Sequence, residues 1–213
     1  MEEKNILKTG TTTMGIVCKD GIILAADKRA TAGNFVVDKK TEKIHSVTEF
    51  IAVTMAGMAS DGQLLVRIAQ SELRLKKIRT KQEVSVKEAA NLMARMVYQN
   101  VRQMSMVPGI SHFVLAGYDT TGFYLYDIFP DGSISLCEKF VSSGSGSVMA
   151  YGVLESTYKK DMTVEEGVKM AVTAINAALQ RDSATGNGID IVTITKDGVK
   201  KTLEKELDMN IRL

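Results

Sequence analysis

The chain has 213 residues, 45% hydrophobic and 24% charged, with a formal net charge of +2. That size and balance suit one domain with a substantial core and argue against a nucleic-acid surface. No apolar run approaches the ~20 residues that cross a bilayer, and the opening MEEKNILKTG lacks the apolar stretch of a secretory signal.

Thr12 to Val17 is rich in β-branched residues, and Lys19-Asp20-Gly21 turns it back into a second strand, Ile22 to Ala26. Ile51 to Met55 is a further strand that stops at Gly57. The period then changes, and Leu64, Leu65, Ile68, Leu75 and Ile78 mark the expected apolar face of a helix from Asp61 to Arg79. Lys76, Lys77, Arg79 and Lys81 gather at its end, where cations complement the helix dipole. Ser85 and Glu88 have capping-box spacing for a second helix carrying Val86, Ala90, Met93, Val97, Val101 and Met104, which stops before Pro108-Gly109.

Strands return over His112 to Tyr118 and Phe123 to Ile128, joined by the hairpin signal Asp119-Thr120-Thr121-Gly122, and over Ser133 to Glu138. A helix is expected over Val148 to Tyr158. A second capping box, Thr163 with Glu166, opens a long helix faced by Val164, Val168, Val172, Ile175 and Leu179. Ile189 to Thr195 and Val199 to Leu203 close the chain as strands. These blocks do not alternate as βαβ units, so an α+β fold of two stacked antiparallel sheets with helix pairs outside them is expected. Cys18 and Cys137 fall in strand-like contexts and are expected to be buried free thiols of a reducing, cytoplasmic protein. His45 and His112 have no partners at metal or triad spacing and are expected to be structural.

Gly10-Thr11-Thr12-Thr13 is the most unusual local feature. A threonine hydroxyl is a weak nucleophile, but a threonine made N-terminal has its own α-amine as base, with a pKa of roughly 7.7 to 8.0. A glycine before it leaves room for attack on the preceding carbonyl. Read alone, the triplet is more readily a β-prone strand start. Asp27-Lys28-Arg29 and Lys43 suit either a solvated turn or a buried charge that eases formation of an alkoxide. Gly57 suits a tight turn and also an oxyanion donor. Gly144-Ser145-Gly146 before a helix has the look of an anion nest, but no Gly-Lys-Ser/Thr follows to make a nucleotide loop. Arg181 to Gly186 ends a helix with small hydroxyl residues.

In order, GTTTMGIVCKDGIILAADKRAT, Lys43, TMAGMASDGQ, SSGSGSVMAYGVLE and RDSATGNGID resemble proteasome β-type subunits from Gly10 to about Thr195. The resemblance implies the four-layer αββα fold of N-terminal nucleophile hydrolases. It implies a threonine endopeptidase in which residues 1–10 are a propeptide removed by autolysis at Gly10-Thr11, leaving 11–213 as the enzyme. Thr11 then corresponds to the nucleophile, Asp27 and Lys43 to its charged partners, and Ser145 and Asp182 to the surrounding network. Thr185 stands where the family commonly has serine. Gly57 corresponds to the oxyanion-hole residue, Thr31 and Ala59 to positions that bind substrate backbone, and Ala30 and Met55 to the first specificity pocket. The same resemblance implies heptameric rings of identical β subunits, α-type subunit rings, a regulatory ATPase and unfolded protein substrates. No cofactor, metal, nucleic acid or membrane partner is expected. A ring subunit without activity, or the shorter two-component bacterial relative, fits less well. The first would lose some of Thr11, Asp27, Lys43, Ser145 and Asp182, and the second normally lacks the Tyr151 to Glu155 segment.

Overall fold

Strands that are apolar on both faces need cover on both sides, and this chain supplies it with two stacked sheets and two helix pairs. The computed structural model describes residues 10–107 and 109–208. Of the expected propeptide only Gly10 is among them, and Pro108 of the expected helix stop lies outside the described residues. In chain order the elements are β1 (Thr13–Cys18), β2 (Gly21–Asp27), β3 (Ala30–Ala32), β4 (Phe35–Asp38), β5 (Ile44–Ser46), β6 (Ile51–Gly57), α1 (Ala59–Thr80) and α2 (Val86–Val101). There follow β7 (Ser111–Asp119), β8 (Gly122–Ile128), β9 (Ile134–Cys137), β10 (Phe140–Ser143), α3 (Ser147–Thr157), α4 (Val164–Arg181), β11 (Gly188–Thr195) and β12 (Gly198–Glu206).

The first sheet has the order β10-β1-β2-β11-β12 and the second β5-β6-β7-β8-β9, while β3 and β4 form a separate ribbon. All of these pairings are antiparallel. Alternation along β2 shows how the layers form. Ile22, Leu24 and Ala26 point to the second sheet, where they meet Val114, Ala116 and Leu125. Ile23 and Ala25 point the other way, into a cluster with Met170, Ala171, Ala174 and Ile175 of α4. Helices α1 and α2 cover the outer face of the second sheet around Phe113, Leu115 and Met93. The expected αββα order is the observed one.

Both capping boxes form: Ser85 with Glu88, and Thr163 with Glu166. The expected face of α1 needs correction. Leu65 is buried as expected, but Leu64, Ile68, Leu75 and Ile78 are exposed, and Gly62, Val66, Ala69 and Leu73 complete the buried face. The reason is close packing on β6, because a Cβ at Gly62 would stand 2.2 Å from the Met55 sulfur. The contact face is chosen by small residues, which a search for large apolar ones passes over. Helix α4 is turned likewise toward Gly167, Met170, Ala171, Ala174, Ile175 and Ala178, leaving Val164, Val168, Val172 and Leu179 at the margin. Helix α2 ends at Val101, tightened by the Gln103 N–H bonding to the Asn100 carbonyl, so Met104 stands beyond it and exposed. Cys18 is buried and Cys137 only half-buried, and both are free thiols. Burial foremost pushes the Cys18 thiol up to about 12 and the Cys137 thiol up to about 11, which keeps both in the unreactive form.

Candidate active site

The β1–β2 hairpin sets the site. Its register pairs Thr13 with Ala26, which carries Thr12 alongside Asp27 at the end of the strand. The Asp27 N–H donates to the Thr12 carbonyl (3.1 Å), and the Thr12 N–H donates to Asp27 Oδ1 (2.9 Å). Lys43 comes from the other sheet. It immediately precedes β5, where its carbonyl accepts from the Met55 N–H, and its Nζ reaches Asp27 Oδ1 at 2.6 Å. Asp27 Oδ2 meanwhile accepts from the N–H groups of Arg29 and Gly186, each at 3.0 Å. Four donors thus occupy a carboxylate that is 0% exposed, which is its full capacity. Burial is the largest influence on Lys43 and holds its ammonium below the ordinary lysine value, with the Asp27 charge pulling the other way.

A second cluster reaches Thr11 from the opposite end of the chain. The Thr11 N–H donates to Ser145 Oγ (3.2 Å), and Ser145 Oγ donates to Asp182 Oδ2 (2.6 Å). Thr185 Oγ1 donates to the same Asp182 oxygen at 2.5 Å. Ser145 is the middle of Gly144-Ser145-Gly146, between β10 and α3, and those glycines serve steric ends. A Cβ at Gly144, whose φ is +89°, would fall 2.1 Å from the Thr11 carbonyl oxygen. The glycines admit the threonine strand, and no nucleotide loop needs to be invoked. Asp182 caps the C-terminal end of α4, and the loop after it is fastened by Arg29, which donates to Asn187 Oδ1 and to the Ser183 carbonyl.

Gly10 is held as well. Its N–H donates to Thr31 Oγ1 (3.1 Å), and a Cβ there would lie 1.8 Å from Ala184 Cβ, so only glycine fits before Thr11 in this arrangement. The structure therefore gathers Gly10, Thr11, Asp27, Thr31, Lys43, Ser145, Asp182 and Thr185 into one region. Gly57 ends β6 with a φ of +101°, and Ala59 starts α1, exposed. Ala30 is half-buried on β3, and Met55 is 4% exposed. Sequence reading missed the Thr12 hydroxyl, the Gly186 N–H and the staple made by Arg29. Backbone donors leave no trace in composition, and Thr12 was hidden inside a β-prone triplet.

The family model for proteasome subunits matches residues 7–194. The chain belongs to the proteasome subunit family. Among its relatives, "Proteasome subunit beta" of Ferroglobus placidus is 45% identical over 197 residues, 92% of each chain. The protein of the same description from Methanocaldococcus vulcanius is 41% identical over 199 residues, 93% of this chain and 87% of the relative. The matched span takes in the elements that carry the gathered residues, from Gly10 to the start of β11.

The two histidines of this proteasome-family chain differ. His112 Nε2 lies 2.6 Å from Asp127 Oδ1. His45 Nε2 is buried with no hydrogen-bond partner among the described residues, and burial lowers its affinity for a proton against the opposing pull of Glu42. The native state therefore resists protonation while the unfolded chain accepts it near the ordinary value of about 6.5. As pH falls from about 7.5 to about 5.5, His45 is expected to subtract from stability, because the unfolded chain takes up the proton first. Urea midpoints of wild type and His45→Phe at the two pH values measure this, and the substitution should flatten the pH dependence.

Proposed function

We propose that the chain is a threonine-type endopeptidase of the proteasome core, made as a precursor with residues 1–10 as propeptide and 11–213 as the enzyme. In this reading the Thr11 hydroxyl attacks the Gly10 carbonyl, forming an ester as the peptide bond to the Thr11 nitrogen breaks. That break frees the α-amine, and water then hydrolyses the ester, releasing residues 1–10 as a carboxylate and restoring the Thr11 hydroxyl. That amine becomes the base for substrate hydrolysis, taking the hydroxyl proton as Thr11 Oγ1 attacks the scissile carbonyl and passing it to the leaving amine. Water releases the acyl group in the same manner. The Lys43 ammonium, fixed by Asp27, lowers the cost of the alkoxide, and the Gly57 N–H serves the oxyanion. Thr31 and Ala59 hold substrate backbone. The single observation that carries the reading is the Thr11 nitrogen bonded to Ser145, which is itself anchored to Asp182, because those are the groups that would hold a freed amine in place.

A peptide vinyl sulfone tests it. The assembled enzyme should lose activity in step with one adduct per subunit, and peptide mapping should find the adduct on a chain that begins at Thr11. An adduct on Ser145, or on a chain still beginning at Met1, contradicts the mechanism.

Ala30 and Met55 are proposed to line the first specificity pocket and to favour large apolar residues before the cut, since neither supplies a counter-ion. Seating such a side chain is worth roughly 1.5 to 3 kcal/mol. Fluorogenic peptides ending in tyrosine or leucine should then exceed those ending in arginine or glutamate by about tenfold or more in kcat/KM. The proposed setting is that of the family: identical β subunits in heptameric rings, α-type subunit rings, a regulatory ATPase that delivers unfolded protein, and the cytoplasm, with no cofactor required.

A further inference from the structure

We propose that Thr12 is a positioning residue for the reaction, acting on the Thr11 amine through a directed chain of hydroxyls that runs from Thr12 to Thr185, Asp182 and Ser145. The inference rests on the threonine-peptidase reading above and goes beyond it by giving the residue after the nucleophile a task of its own. Thr12 Oγ1 and Thr185 Oγ1 are 2.6 Å apart, and both residues are buried, at 0% and 2% exposure. A hydroxyl has one proton to give. Thr185 gives its proton to Asp182 Oδ2 at 2.5 Å, so the proton in the Thr12–Thr185 contact comes from Thr12. Ser145 also gives its proton to that Asp182 oxygen, which leaves its lone pairs for the Thr11 N–H. Every donor therefore points toward one carboxylate, and Thr12 lies at the far end of the chain.

Three further features single out the contact. The Thr12 backbone is fixed on both sides, by its N–H to Asp27 Oδ1 and its carbonyl to the Asp27 N–H. The space is reserved, since a Cβ at Gly146 would come within 2.0 Å of Thr12 Oγ1 and 2.9 Å of Thr185 Oγ1. Residue 185 is a threonine, whose branched Cβ limits its rotation, and a donor from Thr12 holds the one orientation that serves Asp182.

The consequence is electrostatic. A hydroxyl that accepts a strong hydrogen bond is a better donor, so Thr12 strengthens the Thr185 bond to Asp182 and tempers the negative charge that reaches Thr11 through Ser145. The other charges gathered here are Asp27, Lys43 and Arg29; Thr12 bonds Asp27 through its backbone, whereas its hydroxyl bonds Thr185. Without the Thr12 hydroxyl, the Thr11 amine would feel more of the Asp182 charge and keep its proton to higher pH, where it is useless as a base.

The test uses the assembled, processed enzyme, with kcat expressed per vinyl-sulfone-titrated site. Thr12→Val and Thr12→Ala should lower kcat about tenfold with little change in KM, and should move the acid limb of the kcat/KM profile up by about half a pH unit. Thr12→Ser should restore both. A stabilising role alone would lower the melting temperature and the number of titrated sites while leaving the surviving sites with the wild-type profile, and that result overturns the proposal. If neither Thr12→Val nor Thr12→Ala gives titrated sites, Thr185→Ala decides, because Thr12 acts only through Thr185. An unshifted acid limb in Thr185→Ala overturns the proposal. Full activity in Thr11→Ala would instead overturn the reading beneath it, so the two failures are distinguishable.

Discussion

Thr11→Ala is expected to reduce peptide hydrolysis to background, a loss of at least about a thousandfold. The variant should also retain residues 1–10. Both effects follow from the absence of one hydroxyl, which is proposed to attack the Gly10 carbonyl first and the substrate carbonyl afterwards. The fold should hardly notice. The contacts of Thr11 with the network run through its backbone, namely its N–H to Ser145 and its carbonyl, which accepts from the Gly146 N–H. A melting temperature close to that of wild type, together with absent turnover, separates chemistry from stability. Thr11→Ser keeps a nucleophile and should retain measurable activity.

Lys43 is the second large effect. Lys43→Ala removes the cation nearest Asp27, and its ion pair is almost wholly buried, with side-chain exposures of 4% and 0%. Breaking such a pair costs about 3–5 kcal/mol when the surviving charge is stranded. Here Asp27 still accepts from the N–H groups of Thr12, Arg29 and Gly186, which places the cost toward the lower end. Activity should fall by a factor of about a hundred to a thousand or more, because the charge proposed to favour the alkoxide is gone. Lys43→Arg separates the two consequences. It keeps a cation near Asp27, yet a planar guanidinium does not reproduce a compact ammonium in so tight a site, so turnover should remain severely impaired. Peptidase rates and melting temperatures of both variants, with gel filtration to confirm assembly, are the measurements. Near-normal rates in either variant would remove Lys43 from the mechanism.

The hairpin that bears the site was readable because Thr12 to Val17, the Lys19-Asp20-Gly21 turn and Ile22 to Ala26 each carry a strong local signal. The capping boxes at Ser85 and Thr163 were readable for the same reason. The short strands β3, β4, β5 and β10 were not. Each has three or four residues, and β4 is exposed enough to leave Phe35 at 71%. Their pairing is set by the tertiary structure and not by pattern. The faces of α1 and α4 were misread where Gly62, Ala69, Gly167 and Ala174 make the contact, since closeness of approach governs there and side-chain size misleads. The site itself joins residues up to 173 positions apart, as in the Thr12 contact with Thr185. No local physics links such positions, and only the ordered likeness to a family brought Thr11, Asp27, Lys43, Ser145 and Asp182 together before the geometry did. Thr12 stayed hidden because its hydroxyl gains meaning only once α4 delivers Thr185 beside it.

The central claim is that Thr11 becomes the first residue of the working enzyme. Intact mass of the active, assembled protein tests it most directly. The account predicts a chain shortened by residues 1–10, with Thr11 at its N-terminus, and Thr11→Ala at the full mass. Full peptidase activity from a chain that still begins at Met1 would contradict it, because the Thr11 nitrogen would then be locked in a peptide bond and unable to act as the base.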